Sequence, residues 1–248
     1  MRILVTGAAL RIGAAICARL AADGHQVIIH YNTSKEAAQA LATEITQAGG
    51  TAHTIGANLA DRAQVAALIP AIIAQFGPLD CLINNASSFV HDDFAGFDTQ
   101  DWDFHIGPNL EAPIFLARDF ARQTERGCIV NMLDHKVVAP NPDFFSYTIA
   151  KLAMAGATTV MAQALSGRIR VNAIAPGITL ISGKQTQAGF ARAFAAPPLG
   201  RSATPAEIAD AVQYILATPS LNGEILVLDG GESLAPRGRD IAYAVGLE

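Results

Sequence analysis

Short runs of strand-type residues alternate with helix-patterned segments along this chain, and that alternation restricts its fold more than any other feature. Residues 3–6, 26–31, 51–55, 81–84, 128–133, 170–175 and 225–228 read as strands, several of them apolar without interruption. Between them, 11–23, 35–48, 62–76, 99–106, 110–126, 145–165 and 205–217 read as helices, with apolar residues recurring on one face. A strand that is apolar on both faces must be covered on both faces, which is the situation of a parallel sheet with helices above and below. The expected fold class is therefore α/β: one doubly wound domain over residues 1–248, with a central parallel sheet flanked by helices. A chain of 248 residues that is 51% hydrophobic supplies enough apolar material for such a core.

Two segments break the rhythm. Residues 179–199 are rich in Gly, Ala, Gln and Phe and end in Pro197-Pro198; a lid over a ligand site and a plain surface insertion both fit that composition. In the tail, 234–248, Ile241, Tyr243, Val245 and Leu247 alternate, a pattern compatible with docking on a neighbouring subunit.

The net charge of -5 offers no electrostatic reason to expect nucleic acid or an anionic membrane as partner. Cys17, Cys81 and Cys128 are odd in number, far apart and set in apolar stretches, which fits a reducing compartment. The histidines show no metal-ligand spacing, so no metal is expected. Met1-Arg2 leads directly into the first strand without a leader pattern, and no run is long enough to span a bilayer. A cytoplasmic protein is the expectation.

The turn after the first strand reads Thr6-Gly7-Ala8-Ala9-Leu10-Arg11-Ile12-Gly13. A glycine-containing turn between the first strand and first helix of a Rossmann-type fold brings backbone N–H groups and a helix N-terminus to a pyrophosphate. Gly7 suits the tight turn and Gly13 the close packing of helix on strand. Arg11 stands where positive charge opposes the helix dipole, so a guanidinium for an anionic ligand is the more natural reading. At the end of the second strand an NAD site needs a carboxylate. This chain has Tyr31-Asn32-Thr33-Ser34, with the first acid at Glu36. Hydroxyls, an amide and Arg11 suit a 2′-phosphate, so NADP(H) is the expected cofactor.

Tyr147 and Lys151 stand four residues apart, on one face of the same helix. A phenol is a poor acid–base group at neutral pH; a nearby ammonium and a positive nicotinamide are expected to lower its pKa and make proton transfer practical. With these pieces the whole chain resembles the short-chain dehydrogenase/reductase family. The matching segments are Thr6–Gly13, Asn58-Leu59, Asn84-Asn85-Ala86, Asn109, Tyr147/Lys151, Arg170-Val171-Asn172, Pro176-Gly177 and Asp229-Gly230-Gly231, in the family's order. The resemblance implies that Asn85 and Ala86 line the cofactor cleft and that Asn109 holds a water linked to Lys151. It implies also that Lys151 grips the nicotinamide ribose, and that Pro176 and Gly177 shape the nicotinamide pocket. Asn58 stands in place of the family's usual aspartate beside the adenine.

One departure redirects the substrate. Thirteen residues before Tyr147, where most of the family has a serine, this chain has Asp134. A carboxylate opposes the charge developing on a ketone oxygen but suits a substrate with N–H donors or one needing a protonated acid. Together with Arg11, His30–Ser34 and Asn84-Asn85-Ala86-Ser87-Ser88-Phe89, this resembles the pteridine reductases and bacterial dihydromonapterin reductases. That resemblance implies a pterin stacked between nicotinamide and Phe89, Ser87 in contact with cofactor or pterin, and NADPH-dependent reduction of a dihydropterin C=N bond. Tyr147, coupled to Asp134 and assisted by Lys151, would handle the proton. A generic carbonyl reductase acting on a 3-ketoacyl thioester, sugar or other ketone is the nearest alternative, and a non-catalytic NADP sensor the more distant one. Residues 145–165 are small or apolar nearly all round, so a homo-oligomer, dimer or tetramer, is expected.

Overall fold

In the computed structural model, which describes residues 1–246, seven parallel strands form one sheet. They are β1 (Arg2–Val5), β2 (Gln26–Tyr31), β3 (Thr51–Gly56), β4 (Cys81–Asn84), β5 (Gly127–Met132), β6 (Ile169–Pro176) and β7 (Ile225–Leu228). Their order across the sheet is β3-β2-β1-β4-β5-β6-β7. The helices are α1 (Arg11–Ala22), α2 (Lys35–Gln47), α3 (Arg62–Phe76), α4 (Thr99–Ile106), α5 (Ala112–Gln123), α6 (Phe145–Ala164), α7 (Gln187–Ala195), α8 (Pro205–Ala217) and α9 (Ile241–Ala244). This is the doubly wound Rossmann arrangement expected from the alternation.

Strand geometry divides the core into two layers. Successive side chains point to opposite faces, so Ile3, Val5, Val27 and Ile29 join Ile16 and Leu20 of α1 and Ile208, Val212 and Ile215 of α8. Leu4, Ile28, Leu82 and Ile129 point the other way, onto Val65, Leu68 and Ile72 of α3 and Leu116 and Phe120 of α5. Helix starts are written in side chains. Asp61 accepts from the backbone N–H groups of Ala63 and Gln64 ahead of α3, and Thr204 forms a reciprocal capping box with Glu207 around Pro205 at the start of α8.

The strand order reverses between β1 and β4, so the chain leaves those two strands in opposite directions. A crevice opens there at the carboxyl ends of the strands, the place where open α/β sheets bind ligands. Among the described residues no helix is long and apolar enough to cross a membrane.

Three local departures from the expected elements concern this crevice. Residues 107–111, between α4 and α5, form a π-helical turn. Pro108 lacks the N–H that would close an α-turn onto the Phe104 carbonyl, and Ser88 Oγ donates to that carbonyl instead. The 179–199 segment contains α7, started by Thr186 accepting from the Gly189 N–H. In the tail, whose role the sequence left open, Ile241 and Tyr243 lie on the short helix α9; Leu247 is outside the described residues.

Candidate active site

The Thr6–Gly13 turn is held by residues at the ends of three strands. Thr6 Oγ1 accepts from the backbone N–H groups of Asn85 and Ala86 at 2.9 and 3.0 Å, and Asn85 Nδ2 donates to the carbonyls of Thr6 and Gly7 at 2.8 and 3.1 Å. Gly7 has φ +60°, and a Cβ there would lie 2.7 Å from Ala86 Cα; a Cβ on Gly13 would lie 2.6 Å from Asn85 Nδ2. Only glycine lets the turn close this tightly on β4. Ile12 packs its side chain on the core below the turn. No side chain caps α1 and no acid stands in its first turn, which leaves its leading N–H groups available to an anion.

His30 has a role the sequence did not disclose. Its Nδ1 accepts from the Gly7 N–H at 3.0 Å, so Nε2 carries the proton shared with the Ala57 carbonyl at 3.0 Å. Burial pushes the imidazole down to about 4, against a lesser upward pull from the Ala57 carbonyl, and keeps it neutral at physiological pH. Beyond it, Tyr31 and Ser34 are half-buried, while Asn32 and Thr33 are exposed at the crevice mouth. Asn58 Oδ1 accepts from the Ala60 N–H, and Leu59 is buried in the core. Arg11 adopts φ +59° and reaches across the mouth to donate to the Ile181 carbonyl at 2.9 Å.

The chemical end of the crevice lies where β5 meets α6. A buried amide ladder anchors it: Asn84 Nδ2 donates to Asn131 Oδ1, and Asn131 Nδ2 donates to Thr158 Oγ1 on α6. Just past β5, Asp134 Oδ2 accepts from Tyr147 Oη at 3.0 Å. Lys151 Nζ donates to the Met132 carbonyl at 2.8 Å and lies 5.5 Å from the Tyr147 ring centroid. Thus Asp134, Tyr147 and Lys151 converge, and the phenol and carboxylate touch.

The electrostatics reverse one expectation. Burial pushes the Tyr147 phenol well above its ordinary value, and the Asp134 carboxylate pushes it further, with Ser87 acting weakly in the other sense. The lowering expected from Lys151 does not prevail, because the ammonium is bonded to a carbonyl while the carboxylate sits on the phenol. Burial also pulls Lys151 down to about 8, partly opposed by Asp134. For Asp134, burial raises the pKa, but His135 and Lys136 outweigh it and hold the group well below the usual carboxylate range. At neutral pH the site presents a proton-bearing phenol and an ionised carboxylate.

Asn109 sits on the π-helical turn, buried, donating to the carbonyls of Ser88 and His105 at 2.7 and 2.9 Å and accepting from Ser87 Oγ at 2.7 Å. It therefore fastens the 85–89 loop and has no direct bond to Lys151. Phe89 is 39% exposed, with its ring 5.7 Å from both Tyr147 and Phe144. Sequence reading missed Phe144, whose φ of 56° is left-handed for a non-glycine residue, and did not connect Tyr243 of the tail, 5.9 Å from Phe144, with the site. The consecutive Phe144-Phe145 just before Tyr147 was the available signal. These rings give the open side of the site an apolar, aromatic wall.

Opposite stand Pro176, ending β6, and Gly177, whose N–H donates to the Leu228 carbonyl. The tail folds against its own chain. Lys136 Nζ pairs with Asp240 at 3.0 Å, Arg239 pairs with Asp143 at 2.8 Å, and Arg192 of α7 donates to the carbonyls of Val245 and Gly246.

Known proteins share this architecture. Over 98% of both chains it superposes on FolM alternative dihydrofolate reductase 1 from Brucella canis complexed with NADP, with a TM-score of 0.89 at 40% sequence identity. It is 31% identical over 236 residues to the 3-oxoacyl-[acyl-carrier-protein] reductase FabG of Staphylococcus aureus, covering 92% of this chain and 96% of the relative. It is likewise 31% identical over 246 residues to the D-threitol dehydrogenase of Mycolicibacterium smegmatis, covering 93% and 92%. Residues 1–189 match the short chain dehydrogenase family. With the turn, the crevice and the Tyr147/Lys151 pair in place, the chain belongs to the short-chain dehydrogenase/reductase family.

Proposed function

We propose that this protein is an NADPH-dependent reductase of a dihydropterin-type C=N bond. The observation that carries the reading is the ionised Asp134 carboxylate on the Tyr147 hydroxyl, where a ketone reductase gains nothing from a negative charge. Likeness to a FolM protein in complex with NADP supports it.

The donor set fits NADP(H). Uncapped N–H groups at α1, the Gly7/Gly13 turn, and Asn85 and Ala86 on β4's end would hold the pyrophosphate and nicotinamide side. Arg11, Asn32, Thr33 and Ser34, with Tyr31 behind them and no carboxylate before Glu36, would take the 2′-phosphate; Asn58 and Leu59 would border the adenine. Pro176 and Gly177 would wall the nicotinamide, whose chemistry when bound is to donate a hydride.

The chain's own residues handle the rest. Phe89, with Phe144 beside it, offers a face for a flat ring, worth on the order of 0.5–1.5 kcal/mol beyond burial. Asp134 accepts N–H donors of that ring, Ser87 contributes a hydroxyl, and Asn109 keeps Ser87 in place. Tyr147 Oη would give its proton to the ring nitrogen beside the carbon being reduced, and the Lys151 charge would stabilise the phenolate left behind. The 179–199 segment, tied to Arg11 through Ile181, would close over bound cofactor.

An NADPH-oxidation screen over dihydrobiopterin, dihydromonapterin, dihydrofolate and 3-oxoacyl thioesters tests the reading. Turnover of the pterins supports it, and turnover confined to ketones refutes it. The exposed small and apolar side of α6, at Ala153, Gly156 and Val160, would be covered in a homodimer or tetramer; a monomer by light scattering would contradict that.

A further inference from the structure

His135, next to Asp134, is buried and lies between two carboxylates. Its Nδ1 is 3.2 Å from Asp134 Oδ1, an ion-pair distance off the line of a hydrogen bond. Its Nε2 is 3.2 Å from Glu232 Oε1, on the turn that follows β7. That turn is itself held: Asp229 accepts from the backbone N–H groups of Gly231 and Ser233 at 2.8 and 2.7 Å, and through it Glu232 is aimed inward. The result is a chain of contacts, Glu232–His135–Asp134–Tyr147, running from the far edge of the sheet to the phenol.

We propose that His135 is a positioning residue for the reaction: bridged to Glu232, it holds Asp134 as a carboxylate turned toward the Tyr147 hydroxyl, so that Asp134 receives hydrogen bonds from the substrate and does not supply a proton. This inference rests on the reading of the site as one for a nitrogen heterocycle. A carboxylate whose one oxygen is paired with a cation leaves its other oxygen as a pure acceptor. Burial pulls the imidazole down, but the two flanking carboxylates outweigh it and raise His135 to about 10.

The Lys136 backbone N–H donates to Asp134 Oδ1 at 2.9 Å, while its ammonium is engaged by Asp240 and the Asp143 carbonyl. Lys151 is bonded to the Met132 carbonyl. Glu232 and Asp229 face His135 from the β7 side, and Asp240 adds negative charge near Tyr147. With Lys136 and Lys151 committed elsewhere, His135 is the cation whose side chain meets the Asp134 carboxylate directly.

The test compares the wild type with His135→Gln, which removes the charge, and His135→Arg, which restores it. In the NADP-bound enzyme, carbon-13 NMR follows the Asp134 carboxyl, assigned by its loss in Asp134→Asn, while kcat/KM for dihydrobiopterin is measured from pH 5 to 8. The account predicts that the carboxyl of His135→Gln, buried without its cation, titrates within the pH 5 to 8 window, whereas the wild type's stays ionised throughout it. Its kcat/KM at the acid end should fall about tenfold further than the wild type's, with arginine recovering most of that loss and NADP affinity unchanged. An unshifted carboxyl titration, or an equal loss at every pH in both variants, overturns the proposal. If the wild type turns over no pterin, the reading of function fails. The NMR shift then still decides what His135 does to Asp134.

Discussion

Tyr147 Oη donates to Asp134 Oδ2 at 3.0 Å, joining the family's proton-bearing phenol to a carboxylate where the family usually has a hydroxyl. The bond makes the phenol a weaker acid, since burial and the adjacent negative charge both disfavour a phenolate. On the proposed reading, proton transfer becomes productive when the substrate presents a basic nitrogen and its own donors occupy Asp134. Tyr147→Phe removes the proton source, and kcat is expected to fall by about 10² or more. Residual NADPH oxidation near the wild-type rate would show that Tyr147 is not the donor.

The alkaline limb of activity should belong to Lys151. Burial lowers its ammonium to about 8, and in the proposed mechanism the charged form is the one that stabilises the phenolate. Because kcat/KM reports groups of the free enzyme, its profile is expected to decline as pH rises through about 8. A profile flat to pH 10 would rule this out.

The His135 pair gives folding a pH dependence whose sign can be worked out. His135 is raised to about 10 from an ordinary value, so its contribution is complete below about 6.5 and lost as pH climbs through about 10. Asp134 is lowered, so its contribution is present above its ordinary value near 4 and lost on acidification below it. Between roughly pH 5 and 7 both contribute, and there His135→Gln should be less stable than wild type by about 3 kcal/mol. The gap in Tm should narrow near pH 10; a gap that widens there contradicts the assignment.

His30 offers a test of the cofactor turn. Replacing it with alanine leaves the Gly7 N–H and the Ala57 carbonyl without their partner, at a cost of about 1–3 kcal/mol. Calorimetry should show a lower Tm together with weaker NADPH binding. Arg11→Ala, at the exposed mouth, should instead weaken NADPH while leaving NADH binding and Tm nearly unchanged.

The sheet was legible because its inner strands are buried on both faces and so are written as apolar runs such as Val27-Ile28-Ile29 and Leu82-Ile83. The Thr6–Gly13 turn and the Tyr147/Lys151 spacing were legible because each is local. What escaped depends on contacts between segments distant in sequence. His135 acquires its meaning from Glu232, beyond two further strands, and His30 turns inward to Gly7 instead of toward the crevice mouth. Helix α7 was hidden by Gly189 and its small neighbours, although Phe190 and Phe194 lie one helical turn apart. The π-helical turn was signalled only by Pro108, which reads equally as a helix break.

The central claim, that Asp134 selects a nitrogen heterocycle over a ketone, is tested most directly by one ratio. It is kcat/KM with NADPH for dihydrobiopterin divided by that for a 3-oxoacyl thioester, in wild type and in Asp134→Ser. The account predicts a ratio well above one in the wild type that collapses by about a hundredfold in the variant, as one charged partner worth about 3 kcal/mol is lost and a hydroxyl suited to a ketone is gained. A wild-type ratio below one, or a ratio that Asp134→Ser leaves unchanged, would contradict it.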